Sequence, residues 1–495
     1  MYEHDSRQIA FHDEPFLFGG LPLNPDNRWV KLAGVIPWSR VEEAYRKNFR
    51  GNRGARAKSV RLALGCLIVK EQLQLSDCDT VQMIREHPYI QYFLGYADYR
   101  YDISLDPSLL THFRKRFPAD VVAQVNRWVV DAARAQASDE ENDDEEGSAG
   151  GSVPDEPAVD SAHESENHGT LIIDASCAPQ DIQYPTDIRL LHEARQKLEG
   201  MMDTLQAGRT TAKPRNYRQQ ANKEYNRFSR NRRPTRKQIR STLRKQLQYV
   251  SRDLRLVSLM QLDSTATLSD QQLQYLDTIT RLYEQQQTMY ATKTRRCDDR
   301  IVSLHQPYVR PIVRGKASAG TEFGAKLTIS YVEGYAEVTR LSWDAYNETH
   351  DLAKAAEDYK VRYGYYPQRI LADRIFRTRE NRRYCKARGI HLNGPPLGRP
   401  PKDRTVYDEQ LRVEREESRE RNAIEGKFGE GKRRYSLGLV RTRLQETSET
   451  QIHLAFLVMS LQKILRNLFI FIFSMRLFAK RRKILAVTAS KFSTS

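Results

Sequence analysis

TLIIDAS, residues 170–176, is a short apolar run of strand type that closes on an aspartate. Its partners come much later in the chain. GAKLTISYVEGYAEVTRL (324–341) reads as two alternating strands joined at Glu333-Gly334, and DLAKAAEDYKVRYG (351–364) has helical spacing. PQRILAD (367–373) is another buried strand that ends in an aspartate, and RRYCKARG (382–389) is a further helix. Strand, hairpin, helix, strand and helix in that order predict a mixed α/β sheet.

Asp174 and Asp373 share one context, since each ends an apolar strand, where open α/β sheets place ligand groups. From neighbouring strands they would point into one cleft. Cutting a phosphodiester with two divalent cations takes oxygen ligands that hold the cations roughly 4 Å apart. Two carboxylates rarely suffice, so a third acid is expected from elsewhere.

RNAIEGKFGEGKRRYSLG (421–438) offers one in Glu425, with Arg421 four residues before it and Lys432 seven after, near one helix face. Ile424, Phe428 and Tyr435 lie on an adjoining apolar face that can pack on the sheet. Gly426, Gly429 and Gly431 each lower helix propensity by roughly 1 kcal/mol relative to Ala, which predicts a helix that depends on packing or breaks near Gly429. Spacing alone also allows an Arg421–Glu425 surface pair worth a few tenths of a kcal/mol, and favours it. Asp344, Glu348 and Glu380 compete for the third place. None has Arg and Lys at those offsets, so they rank lower, with Glu348 kept as a supporting group.

A chain of 495 residues exceeds what one core needs, and at roughly 150 residues per domain it holds several units. Lys and Arg outnumber Asp and Glu by 80 to 63, for a formal charge of +17, which favours a polyanionic partner such as nucleic acid or an anionic membrane. The five cysteines are scattered, without C-x-x-C pairs or histidines at metal-site spacing, and fit a reducing cytoplasm. The N-terminus lacks the apolar core of a signal peptide. IHLAFLVMSLQKILRNLFIFIFSMRLF (452–478) is interrupted by Gln462, Lys463, Arg466 and Asn467 short of the roughly 20 apolar residues of a spanning helix, and reads as a buried helix.

After an N-terminal extension (1–57), residues 58–135 read as a run of short helices. In SLDPSLLTHFRKRF (104–117), Asp106 is an N-cap candidate and Pro107 the first helical position. That helix displays His112, Arg114, Lys115 and Arg116 beside buried leucines, as a helix-turn-helix-like DNA reader would; a small helical domain with a solvated basic face fits the spacing equally. Residues 138–168 are acidic, rich in Ser, Gly and Pro and poor in large apolar residues, and predict a disordered linker. Within the unit from 169 to 467, a helical block at about 187–300 interrupts the strands, its leucines forming a hairpin that is internal or dimeric. From 213 to 245 this block carries a dense run of cations, Arg230, Arg232 and Arg233 among them, against one acid, Glu224. Such density suits contact with several phosphates. A basic tail, 468–495, closes the chain.

The 421–438 stretch resembles the Y-(2)-R-(3)-E-(6)-K signature of bacterial insertion-sequence transposases of the DDE superfamily, through Arg421, Glu425 and Lys432. Ser418 stands at the tyrosine position. TLIIDAS and ILADRIFRTRENRRYCKARGI resemble the two aspartate strands of that family, and residues 58–117 its InsH-type N-terminal helical domain. VRPIVRGKASAGTEFGAKLTISYVEGYAEVTRLSWDAYNET (309–349) resembles its mid-domain hairpin. The resemblance implies an RNase H-like catalytic domain with a long helical insertion after the first strand, behind an all-α DNA-binding domain. It also implies that Asp174, Asp373 and Glu425 bind two Mg²⁺ or Mn²⁺, with Arg421 and Lys432 contacting DNA near the cleaved phosphate. The reaction implied is metal-activated attack of water at the terminal inverted repeats, then joining of the 3′ ends to target DNA, by at least a dimer in the cytoplasm, away from any membrane. A catalytically dead DNA-binding derivative and an RNase H-like nuclease are the alternatives.

Overall fold

The computed structural model describes residues 17–18, 20–49, 57–145, 167–313, 320–395, 398 and 403–492, with side chains placed to 136 and to 470 in the helices ending at 145 and 492. Residues 146–166, most of the expected acidic linker, lie outside the described residues. The N-terminal region starts with a small hairpin of β1 (Leu17–Phe18) and β2 (Leu21–Pro22). Helices α1 (Arg28–Val35), α2 (Trp38–Arg46), α3 (Val60–Leu73), α4 (Asp77–Glu86), α5 (Pro88–Phe93), α6 (Leu109–Arg116) and α7 (Ala119–Glu145) follow. Ser76 caps α4 by accepting from Asp79 N–H at 3.0 Å. Helix α6 begins two residues beyond the expected Pro107, because Asp106 spends its carboxylate on Ser108 N–H at 2.8 Å in a turn of its own.

The sheet comprises β3 (Thr170–Pro179), β4 (Arg310–Val313), β5 (Thr321–Val332), β6 (Tyr335–Ser342), β7 (Arg369–Ala372) and β8 (His391–Leu392). Between β3 and β4 stand helices α8 (Asp187–Gln206), α9 (Arg218–Ser229), α10 (Arg236–Asp263) and α11 (Asp270–Thr292). Then α12 (Asp351–Tyr363) and α13 (Arg379–Ala387) flank β7, and α14 (Arg404–Arg434) and α15 (Gln445–Phe492) end the chain. Strand β3 lies between antiparallel β5 and parallel β7, β8 continues parallel beyond β7, and β4 and β6 share the far edge of β5. This mixed order is consistent with an RNase H-like domain. The β5–β6 turn falls on Glu333 and Gly334, both at positive φ (50° and 87°), as a two-residue hairpin requires.

Strand alternation sorts the core. Leu171, Ile173, Ile370 and Ala372 pack with α12 and α13, while Ile172 and Leu371 join Ile424 and Phe428 of α14 and the apolar face of α15. By the same alternation positions 174 and 373 fall on the α14 face. The insertion has a core of its own, from Leu190, Leu198 and Met202 of α8, Val250 and Val257 of α10 and Ile279 and Leu282 of α11, while Leu259, Leu262 and Leu273 of the same pattern stay exposed.

The N-terminal helices share the main core with α15, whose Ile452, Phe456, Leu457 and Leu461 are buried. At about 1.5–3 kcal/mol per buried large side chain, this contact is a major part of what holds the molecule together. Helix α15 runs across position 467 without a break. Among the described residues one segment, Gln445–Ile470, is long and apolar enough to cross a membrane, and most of it is buried inside the protein.

Candidate active site

Asp174 is not the end of its strand, as the sequence suggested: β3 runs five residues further, to Pro179, because Ala175–Pro179 stay paired with β5. Asp373 does follow its strand directly. The registered pair Ile173 and Ala372 immediately precedes the two aspartates, which puts them side by side at the β3–β7 boundary. Asp174 accepts Ala175 N–H at 2.8 Å, and Asp373 accepts Arg374 N–H at 2.7 Å.

Helix α14 lies across β3 and β7 and brings the third acid. It is held from the side by Arg369, which reaches Glu420 at 2.9 Å, and by His391, hydrogen-bonded to buried Glu417. Ile424 and Phe428 bury the inner face as the spacing predicted. The helix does not break at Gly429; it continues to Arg434. Its glycines are partly a packing device, since a Cβ on Gly431 would stand 2.5 Å from Leu437 Cδ1 and 3.3 Å from Met459 Sδ.

Arg421 links the acids. Its Nη2 donates to Glu425 Oε1 at 2.9 Å and its Nη1 lies 4.0 Å from Asp174 Oδ2. Burial pushes the Asp174 carboxyl up to about 6; the Ala175 N–H and the Arg421 guanidinium oppose this, and the negative charges of Asp373 and Glu425 add to it. The charges of Asp373 and Glu425 thus bear on Asp174, while Glu425 is also the i, i+4 partner of Arg421 on the helix surface. Two of the competing acids are engaged elsewhere, Glu348 with Lys326 and Asp344 with Arg310 at 3.4 Å, while Glu380 is exposed in the first turn of α13.

The three carboxylates are hard oxygen donors of the kind Mg²⁺ and Mn²⁺ take, and Asp174 is raised by burial first and by the two neighbouring negative charges after it. In donor type alone the residues fit divalent cations. Among the described residues, however, no three His, Cys, Asp or Glu side chains close to common ligand distance. Arg421 supplies the positive charge there instead.

The other expected DNA contacts separate. Arg114 is a correction: it is buried and bidentate to Asp77 at 3.1 and 2.7 Å, tying α6 to α4, so it cannot face DNA. Arg116 lies over the Phe49 ring at 4.9 Å, and Lys115 is exposed. Arg230, Arg232 and Arg233 are exposed at the turn from α9 to α10, far along the chain from the acids. Lys432 sits in the last turn of α14, about 10 Å along the axis from Glu425. The sequence reading missed Arg377 and Arg415, which line a cleft beside Arg421. The i, i+3 and i+6 offsets of Arg415, Ser418 and Arg421 were the available signal.

Residues 370–462 match the family model described as Transposase DDE domain, a range that includes Asp373 and Glu425. Residues 21–116 match the one described as Transposase domain (DUF772). The chain is 30% identical over 176 residues to a Rhizobium meliloti protein described as uncharacterized protein ORF8 in the nfe locus, a match covering 36% of this chain and 73% of that protein. No solved structure matches.

Proposed function

This chain belongs to the DDE transposases of insertion sequences, and from that premise we propose that it binds its element's terminal inverted repeats, cleaves them with water and joins the 3′ ends to target DNA. The observation that carries the reading is Arg421, which donates to Glu425 at 2.9 Å and lies 4.0 Å from Asp174, whose strand is registered with the one leading into Asp373.

In this reading the three carboxylates would hold two Mg²⁺ or Mn²⁺, which would supply activation of the attacking oxygen and charge for the leaving one. The protein's own part is positioning. Arg421, fixed by Glu425, presents a guanidinium to the phosphate, and the Glu417 and Glu420 contacts keep α14 from sliding over the sheet. Lys432 extends the cationic track along α14. Lys115 and Arg116 in the N-terminal region and the Arg230–Arg233 turn in the insertion bind DNA away from the cut. Two DNA ends must be handled together, so a dimer or larger assembly carries out the reaction, in the bacterial cytoplasm where the chromosome lies.

The test is cleavage of a plasmid bearing the DNA that flanks the coding sequence on both sides. Mg²⁺-dependent nicking at the repeats is expected, lost by at least 100-fold in Asp174→Asn, Asp373→Asn or Glu425→Gln with DNA binding retained. Cleavage that survives all three changes refutes the site. Joining of cut ends to a second plasmid separates a transposase from a nuclease on the same scaffold.

A further inference from the structure

Arg421 also lines a cleft of about 300 Å³ between α14 and the segments that follow β7 and β8. Along α14 its wall is a helical stripe of Arg415, Ser418 and Arg421, which Glu425 prolongs toward the acids. Opposite lie Arg377 and the Asn393-Gly394 turn. Gly394 has φ 98°, and a Cβ there would stand 2.0 Å from Arg377 Nη1, so only glycine lets the guanidinium rest on this backbone.

The cations of this cleft are not consumed by the fold. Arg377 Nε is buried without a hydrogen-bond partner, and Arg377 makes no ion pair among the described residues. A buried guanidinium NH left unmatched is costly and calls for an acceptor. Arg415 is exposed and likewise forms no ion pair among the described residues. Asn393 commits its Oδ1 to Ala372 N–H at 2.9 Å, which leaves its amide NH₂ to donate. Glu414 is the one acid on the lining, and the charges of Asp373 and Glu417 as well as Glu414 also bear on Arg377 without pairing with it. Two guanidinium forks, an amide and a hydroxyl around one space match the oxygens of a phosphate.

We propose that this cleft holds a second phosphodiester of the DNA strand being cut, close to the scissile bond, with Arg377 and Arg415 as its cationic ligands and Ser418 as a hydroxyl donor. The inference rests on the acids being the cleavage site, because Arg421 borders both. Ser418 then has a role: a tyrosine ring at that position would fill the space the phosphate needs.

The test uses the full chain and duplex DNA of the element's end, with a neutral methylphosphonate placed at each phosphate in turn. One position near the cut should weaken binding by wild type about tenfold and weaken Arg377→Ala no further, with Arg377→Lys between the two. Arg415→Ala, an exposed site where folding is not at stake, is scanned in parallel and should silence the same position. If every position costs both alanine variants as much as it costs wild type, the proposal is overturned. Wild type that nicks end DNA but shows no silenced phosphate keeps the cleavage reading and loses this one; wild type that neither binds nor nicks loses both.

Discussion

Removing the Arg114 guanidinium would leave Asp77 with Lys70 alone, at 2.8 Å. Since the Asp77 side chain is 27% exposed and keeps that partner, Arg114→Ala should cost about 2 kcal/mol, below the loss for a fully buried pair. Thermal denaturation checks this. Burial raises the Asp77 carboxyl, but hydrogen bonds from Arg114 and Lys70 outweigh it and hold it below its ordinary value. The stability from this pair is therefore present above about pH 4 and fades as pH falls through the lowered folded value, a fading that Arg114→Ala should lessen. Asp253 behaves in the opposite sense. It is fully buried on α10 with neither oxygen hydrogen-bonded, and burial, then Glu199, push it up to about 7 against Arg195, Arg252 and Arg218. An acid whose folded value is raised costs stability as pH climbs from about 4 through that value. Asp253→Asn should therefore gain on wild type between pH 5 and pH 8 in urea titrations; an equal gap at both pH values contradicts the assignment. Neither role was legible in the sequence, because RKRF at 114–117 and RDLR at 252–255 look alike as basic helix faces, and only tertiary partners turn Arg114 and Asp253 inward.

Helix α14 allows a contrast between two glycines. Gly426 has nothing within 4 Å of an added Cβ, so Gly426→Ala should raise stability by up to about 1 kcal/mol through helix propensity alone. Gly431→Ala forces Leu437 aside and should cost about 1–3 kcal/mol despite the same propensity gain. Melting curves of the two variants should move in opposite directions. The inner face of this helix was readable from Ile424, Phe428 and Tyr435, whereas the offsets of Glu425 to Arg421 and Lys432 alone favoured the Arg421–Glu425 surface pair, and only the family resemblance raised Glu425 as a site acid. The continuity of the helix was not readable, since the contacts that reward Gly431 come from Leu437 and from Met459, a full helix later. The same limit applies to β3: TLIIDAS announces a strand but carries no sign that β5 will hold Ala175–Pro179 in the ladder, which makes Asp174 a mid-strand residue.

Across the whole molecule, the exposed cations predicted to meet DNA are spread over separate surfaces. The turn from α9 to α10 presents Arg230, Arg232 and Arg233 to solvent, and replacing all three with Ala should reduce the slope of log affinity against log salt by about 2–3 if each meets a phosphate. An unchanged slope would assign that turn to solvent. The order of strands and helices and the position of the insertion could be read along the chain, because each depends on local pattern. The joining of the N-terminal helices to the final helix could not, since it brings together segments more than 300 residues apart, as where Thr450 Oγ1 donates to Phe117 O at 2.9 Å. That joint bears on biogenesis. A fragment starting near Gly169 would leave bare the side of α15 that faces α3, α6 and α7, a side the whole chain keeps covered. Such a fragment is expected to aggregate where the whole chain does not, because the cover of its final helix has been cut away.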